Sequence, residues 1–150
     1  MTRKGLPWWL WVLLIGIVVF GLIQFVPYGK TYTNPPVINV PNWDTPETEA
    51  LVRSSCYDCH SNETTYPWYS KVAPASWLLQ RDVDEGRRQL NFSEWPTDQG
   101  RQLAITDEIT EVLYEGEMPP IQYTIIHPKS RLSVGQIKQV VNGLLATVAK

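Results

Sequence analysis

Residues 56–60 read Cys56-Tyr57-Asp58-Cys59-His60, a C-x-x-C-H pentapeptide that contains both cysteines and one of the two histidines of this 150-residue chain. Two thiols three positions apart on a helical turn can reach the two vinyl groups on one side of a porphyrin. The imidazole of His60 would then lie beneath the iron as its proximal ligand. The spacing is the attachment signature of c-type haem, and it predicts one covalently attached haem c bound by Cys56, Cys59 and His60.

The same residues could serve three other uses, each of which fits the sequence less well than haem attachment. A thioredoxin-like dithiol shares the C-x-x-C spacing but needs a βαβ context, and the sequence has no alternating strand pattern of useful length. A zinc site needs four ligands, and joint coordination by the adjacent Cys59 and His60 is awkward. A structural disulfide at this short spacing would be strained.

The second axial position on the iron has two candidate ligands in the sequence. Met118 is the one methionine besides the initiator, and it lies in Gly116-Glu117-Met118-Pro119-Pro120, where the prolines stiffen the chain. The alternative reading of Met118 is a flexible filler of the core. His127, which precedes Pro128, is the competing ligand. We predict Met118 as the second metal ligand, with His127 as the alternative.

The pattern after residue 45 is helical throughout. Thr45 followed by Pro46 and Glu47 is typical of a helix start. Ser133 with Gln136 forms a capping box before a long apolar stripe. Helices are predicted over residues 46–55, 74–90 and 97–114, and from residue 134 to near the end of the chain. These patterns predict an all-α fold.

A long apolar segment precedes this region. Residues 7–26 read PWWLWVLLIGIVVFGLIQFV, with no charge and with Gln24 as the one clearly polar side chain. About 20 apolar residues match a hydrocarbon core of about 30 Å, so the segment predicts a single transmembrane anchor. Arg3 and Lys4 place residues 1–6 in the cytoplasm by the positive-inside rule. A cleaved signal peptide is the alternative, but the run is long and no cleavage pattern follows it.

Residues 27–45 include four prolines and predict an extended linker before a haem-binding domain at residues 46–150. The linker either holds the domain away from the membrane or lies along the surface of the domain. The net charge of the chain is −2, and residues 31–150 contain 10 basic and 15 acidic residues. Because nucleic-acid binders normally carry a basic face, no nucleic-acid partner is expected.

Several motifs together resemble a known family. They are CYDCHSNETTYPWYSKVAPASWLLQRDVDEGRRQLNFSEW at residues 56–95, GEMPP at 116–120, IIHP at 125–128, RLS at 131–133 and the closing helix. Over about residues 49–145 the chain resembles the haem-binding-domain family of monohaem c-type cytochromes, which are often membrane-anchored. The resemblance implies a cytochrome c-like all-α fold in which Cys56, Cys59 and His60 bind haem. The family pattern contains both the Met-Pro and the His-Pro elements, so it leaves the sixth ligand open.

The resemblance also draws attention to aromatic and basic side chains. Four aromatic residues are either a wall around the porphyrin or ordinary core residues: Tyr66, Trp68, Trp77 and Trp95. Three arginines either pair with the haem propionates or lie on a solvated helix face: Arg81, Arg87 and Arg88.

The expected function is single-electron transfer by a membrane-tethered monohaem cytochrome c, without enzymatic activity. Its haem domain is expected on the periplasmic, extracytoplasmic side of the cytoplasmic membrane. The expected partners are membrane lipid around the N-terminal helix and redox proteins such as a membrane electron-transfer complex. The alternatives are a haem-bearing structural or relay subunit of a larger respiratory or photosynthetic membrane complex, and a haem-based sensor.

Overall fold

The computed structural model describes residues 6–150, and their regular structure is helical. The α-helices are α1 (Trp8–Ile23), α2 (Pro46–Ser55), α3 (Tyr57–His60), α4 (Ala75–Gln89), α5 (Gln99–Glu115), α6 (Ile121–Ile126) and α7 (Val134–Val148), with 3-10 turns at Trp68–Lys71 and Pro128–Ser130. Within residues 6–150 no β-strand forms, and Asn39 and Glu94 make an isolated parallel bridge. The all-α part of the predicted fold class is confirmed.

Helix α1 is shorter than the apolar segment that contains it. It has 16 residues, which at about 1.5 Å each span about 24 Å, less than a hydrocarbon core of about 30 Å. The helix ends at Ile23, and Pro27 follows closely. Just beyond its end, the side-chain amide of Gln24 donates to the carbonyl of Ala73 and accepts from its N–H, at 3.0 Å each. None of the helices described in residues 6–150 is long and apolar enough to cross a membrane.

The predicted transmembrane anchor at residues 7–26 is therefore wrong. The predicted location, a single-pass protein of the cytoplasmic membrane with an extracytoplasmic haem domain, depended on that anchor and is contradicted with it. Of the predicted cytoplasmic segment 1–6, residues 1–5 lie outside the described residues.

The chain divides into two compact units, and α4 contributes residues to both. The first unit is Met1–Thr33 with Tyr66–Arg81, and the second is Asn34–Thr65 with Asp82–Lys150. In the first unit, the Tyr32 hydroxyl donates to the carbonyl of Ser70, and the Tyr32 ring packs on Tyr66 with centroids 4.5 Å apart.

The core of the second unit forms around α7, which packs against α2 and α5. Its buried apolar residues are Val52, Tyr57, Phe92, Trp95, Leu113, Val140, Val141, Leu144 and Val148. The predicted capping box is present, since Ser133 accepts from the N–H of Gln136 and its own N–H donates to the Gln136 side chain. The capping box fixes where α7 begins. The apolar stripe of α7 faces the core.

The Pro-rich segment lies along the second unit from residue 34 onward. The N–H groups of Ile38 and Asn39 both donate to the carbonyl of Ser93, at 2.9 and 3.1 Å. Asn39 also bonds Trp95 twice, through its carbonyl at 2.9 Å and its side-chain amide at 2.8 Å. For residues 34–45, the contacts therefore correspond to the second of the two predicted arrangements, in which the segment follows the domain surface.

Candidate functional site

The C-x-x-C-H turn, residues 56–60, follows α2 directly. The N–H of Cys56 closes α2 on the carbonyl of Val52 at 2.9 Å, and the carbonyl of Cys56 accepts from the N–H of His60 at 2.9 Å. This helical turn is the local geometry that the spacing predicted. Both cysteines are free, partly buried thiols, so the disulfide considered above is absent.

The His60 imidazole is held by backbone carbonyls. Its Nδ1 lies 3.0 Å from the carbonyl oxygen of Gly86 and 3.2 Å from that of Leu90. Burial lowers the pKa of His60, and the two carbonyl hydrogen bonds only partly offset this. The lowered pKa favours the neutral ring. Because carbonyl oxygens only accept hydrogen bonds, the proton is assigned to Nδ1, which leaves the lone pair of Nε2 for a metal.

Two more backbone contacts hold the same turn. The carbonyl of His60 accepts from the N–H of Phe92 at 2.8 Å. On the α4 side, a Cβ added at Gly86 would lie 2.6 Å from the carbonyl oxygen of Cys59 and 3.1 Å from its Cβ. Helix α4 can pass this close to the turn because residue 86 has no side chain.

A partly open cavity of about 250 Å³ borders the turn, entirely within the second unit. Cys56, Cys59 and His60 line it. Met118, in the loop that follows α5, lines it as well. Its apolar wall consists of Leu90, Phe92, Ile105, Ile109, Val112, Leu113, Pro119 and Pro120. The structure thus brings together the four residues that the sequence assigned to one cofactor.

The Met118 loop, residues 116–120, leaves α5 through a sharp turn. Gly116 ends the helix with φ 75°, in the left-handed region, as its position had predicted. The N–H groups of Glu117 and Met118 then both donate to the carbonyl of Val112, at 3.0 and 3.3 Å. This turn directs the partly buried Met118 side chain to the apolar core and the cavity.

His127 is placed differently. Its ring stacks on Tyr123 with centroids 4.5 Å apart and planes 22° apart, and among the described residues it is not part of the cavity lining. Of these two residues, Met118 lines the cavity and His127 does not.

The lining of the cavity is acidic as well as apolar. Asp58, Asp82, Glu85 and Glu108 line it, and of the described residues no Lys or Arg does. Burial raises the pKa of the Cys56 thiol to about 12, with a further contribution from Cys59. Burial, followed by the carboxylates of Asp82 and Asp58, raises the pKa of the Cys59 thiol to about 12 as well.

The aromatic and basic candidates have other contacts. Trp95 is a core residue that stacks on Phe92, with centroids 5.8 Å apart, and Phe92 rather than Trp95 lines the cavity. Arg87 donates to the carbonyl of Ser61, to Asn34 and to Thr64. Arg88 pairs with Glu85. Tyr66, Trp68, Trp77 and Arg81 belong to the first unit.

Sequence reasoning missed a hydrogen-bonded pair in the cavity wall. The hydroxyl of Tyr123 donates to the Asp58 carboxylate at 2.6 Å, and both residues line the cavity. Asp58 lies inside the C-x-x-C-H motif, so its position in the sequence already indicated that it is close to the site. Nothing in the sequence around Tyr123 indicated its contact with a residue 65 positions away.

Comparison with protein families gives a match over most of the chain. Residues 18–146 match the family model described as a haem-binding domain, which covers most of the chain. No curated protein and no solved structure matches the chain.

Proposed function

The chain belongs to the haem-binding domain family, and on that premise we propose that it is a monohaem c-type cytochrome that transfers single electrons. In this proposal Cys56 and Cys59 hold the haem through thioether bonds, His60 is the proximal ligand and Met118 is the second axial ligand. The protein is a carrier between redox partner proteins rather than an enzyme.

The observation that carries the proposal is the shared cavity. Two thiols, one imidazole and one thioether line the same space, although Met118 comes from a different loop. The imidazole nitrogen and the soft thioether sulfur form a donor set that suits a low-spin haem, and the apolar wall suits the porphyrin. The residues present therefore fit the group that the family binds.

Each residue contributes a defined property. His60 is orientated by the carbonyls of Gly86 and Leu90, which fix its tautomer and increase its basicity toward iron. Met118 is the ligand type that raises the reduction potential relative to a second histidine. The apolar wall limits water access, which favours the less charged reduced state.

When bound, haem would supply a one-electron couple between ferric and ferrous iron. If His60 and Met118 both bound the iron, no coordination position would be left open for a substrate. Because Met118 and His60 line the same cavity, electron transfer is favoured over the sensor alternative, which needs an open or labile position.

Covalent attachment is tested by pigment analysis. The purified protein, unfolded in alkaline pyridine, should show a c-type haem spectrum that acid–acetone extraction does not remove. The double variant Cys56→Ala/Cys59→Ala should lose this non-extractable haem, because no thioether can form. Extractable haem in the unchanged protein would contradict the c-type assignment.

The sixth ligand is tested by a matched pair of variants. Met118→Ala should abolish the weak long-wavelength Met-to-iron absorption band of the ferric protein and lower its reduction potential. His127→Ala should leave both unchanged. The opposite result would make His127 the ligand, and a wild-type protein lacking the band and binding carbon monoxide readily would favour the sensor alternative.

A further inference from the structure

The bond between Tyr123 and Asp58 links two parts of the cavity wall. Tyr123 belongs to α6, which follows the Met118 loop, and Asp58 belongs to the C-x-x-C-H turn. The distance of 2.6 Å between the Tyr123 hydroxyl and the Asp58 Oδ2 is typical of a charge-assisted hydrogen bond. The other carboxylate oxygen, Oδ1, accepts from the N–H of Thr65 at 3.0 Å, which fixes the orientation of the carboxylate.

Apolar burial contributes little to the attachment of α6. This six-residue helix has no buried residue, and its three isoleucines, Ile121, Ile125 and Ile126, are 60–74% exposed. A helix this short is not stable by itself. The hydroxyl bond to Asp58 is therefore one of the contacts that keep α6 against the cavity.

Helix α6 begins three residues after Met118. The carbonyl of Pro120, two residues after Met118, accepts from the N–H groups of Tyr123 and Thr124 at 3.0 and 3.1 Å. On the other side of Met118, the chain is held by the carbonyl of Val112 on α5. Met118 thus lies between two hydrogen-bonded carbonyls, and the second belongs to the first turn of the helix that contains Tyr123.

The same tyrosine also contacts the competing ligand. Its ring stacks on His127 while its hydroxyl bonds Asp58. We propose that Tyr123 is a positioning residue that keeps Met118 at the iron and keeps His127 out of the cavity. This inference rests on the proposed function, because it assumes that Met118 is the axial ligand.

The test is the binding of imidazole to the ferric, haem-loaded protein, since imidazole must displace Met118. Tyr123→Phe retains the ring that stacks on His127 and removes the hydroxyl. The apparent affinity for imidazole should rise about tenfold, because a hydrogen bond to a charged group shifts an equilibrium by at least that factor. The matched control is Tyr114→Phe on α5, an exposed tyrosine outside the cavity lining, which should leave the affinity unchanged.

A double-mutant cycle assigns the effect to the bond itself. Asp58→Ala should also raise the affinity, and Asp58→Ala/Tyr123→Phe should not raise it beyond the larger of the two single changes. Asp58→Asn keeps an acceptor oxygen and should give a smaller rise. If Tyr123→Phe cannot be purified with haem bound, Asp58→Asn replaces it as the test variant.

Removal of the whole side chain tests the second part of the proposal. In Tyr123→Ala the Met-to-iron band should be lost, and His127 should replace Met118 in a fraction of molecules. The added change His127→Ala should remove that fraction. Wild-type imidazole affinity in Tyr123→Phe with an intact band in Tyr123→Ala would overturn the proposal. A wild-type protein without covalent haem or without the band would instead overturn the proposed function.

Discussion

Gly86 is the residue at which helix α4 and the C-x-x-C-H turn come closest. Its carbonyl accepts from His60, and its missing side chain leaves room for the backbone of Cys59. We expect Gly86→Ala to force α4 away from the turn, because the new Cβ would lie 2.6 Å from a carbonyl oxygen. Overpacking of this kind costs about 1–3 kcal/mol. Denaturant unfolding should show that loss, and the fraction of protein that carries haem should fall.

The control for Gly86 is Gly135, in the first turn of α7. A Cβ there would have no heavy atom within 4 Å. Gly135→Ala should be neutral or should raise the free energy of unfolding by up to about 1 kcal/mol, since alanine favours a helix over glycine. Equal losses in the two variants would contradict the steric argument for Gly86.

At the scale of elements, α7 supplies the largest part of the buried core. Leu144 is 0% exposed whereas its neighbour Leu145 is 43% exposed. Leu144→Ala should lower the free energy of unfolding by about 2–5 kcal/mol, the range for a buried leucine that leaves a cavity. Leu145→Ala should cost no more than about 1 kcal/mol. Thermal unfolding of the two variants would contradict the assigned face of α7 if Leu145→Ala were the more damaging.

The helices with strong end signals were predictable. Thr45 accepts from the N–H of Thr48, so α2 begins after its predicted capping residue. Helix α5 begins two residues later than predicted, because Asp98 is its N-cap and accepts from the N–H of Arg101. The predicted bounds of α2, residues 46–55, match the structure. Helix α6 was missed because six residues are too few to show a helical period, and its apolar residues face solvent.

At the scale of the whole molecule, charge is divided between the two units. All 15 acidic residues belong to the second unit, which has 8 basic residues and a net charge of −7. The first unit has five basic residues and no acidic one. The net charge of −2 for the whole chain conceals this division. The unit that contains the cavity is strongly acidic.

This charge predicts how electron exchange depends on salt. A small cationic redox reagent should exchange electrons with the haem-loaded protein more slowly as ionic strength rises, because screening weakens its attraction to the acidic unit. An anionic reagent of similar size should react faster under the same change. Stopped-flow rates at low and moderate salt measure both trends. Rates that fall with salt for both reagents would contradict the dominance of the acidic unit.

The sequence by itself determined the C-x-x-C-H turn and the capped helices, because these depend on residues that are neighbours along the chain. Residues 56–60 form one hydrogen-bonded turn, and Ser133 reaches only as far as Gln136. It also indicated the all-α class and the family.

Only the tertiary structure decided which distant residues meet. It placed Met118 rather than His127 in the cavity lining and paired Tyr123 with Asp58 across 65 positions. It also paired Gln24, just after the end of α1, with the backbone of Ala73, 49 positions away. Such contacts depend on how helices pack and on which polar groups find partners, and short-range sequence patterns carry no information about either.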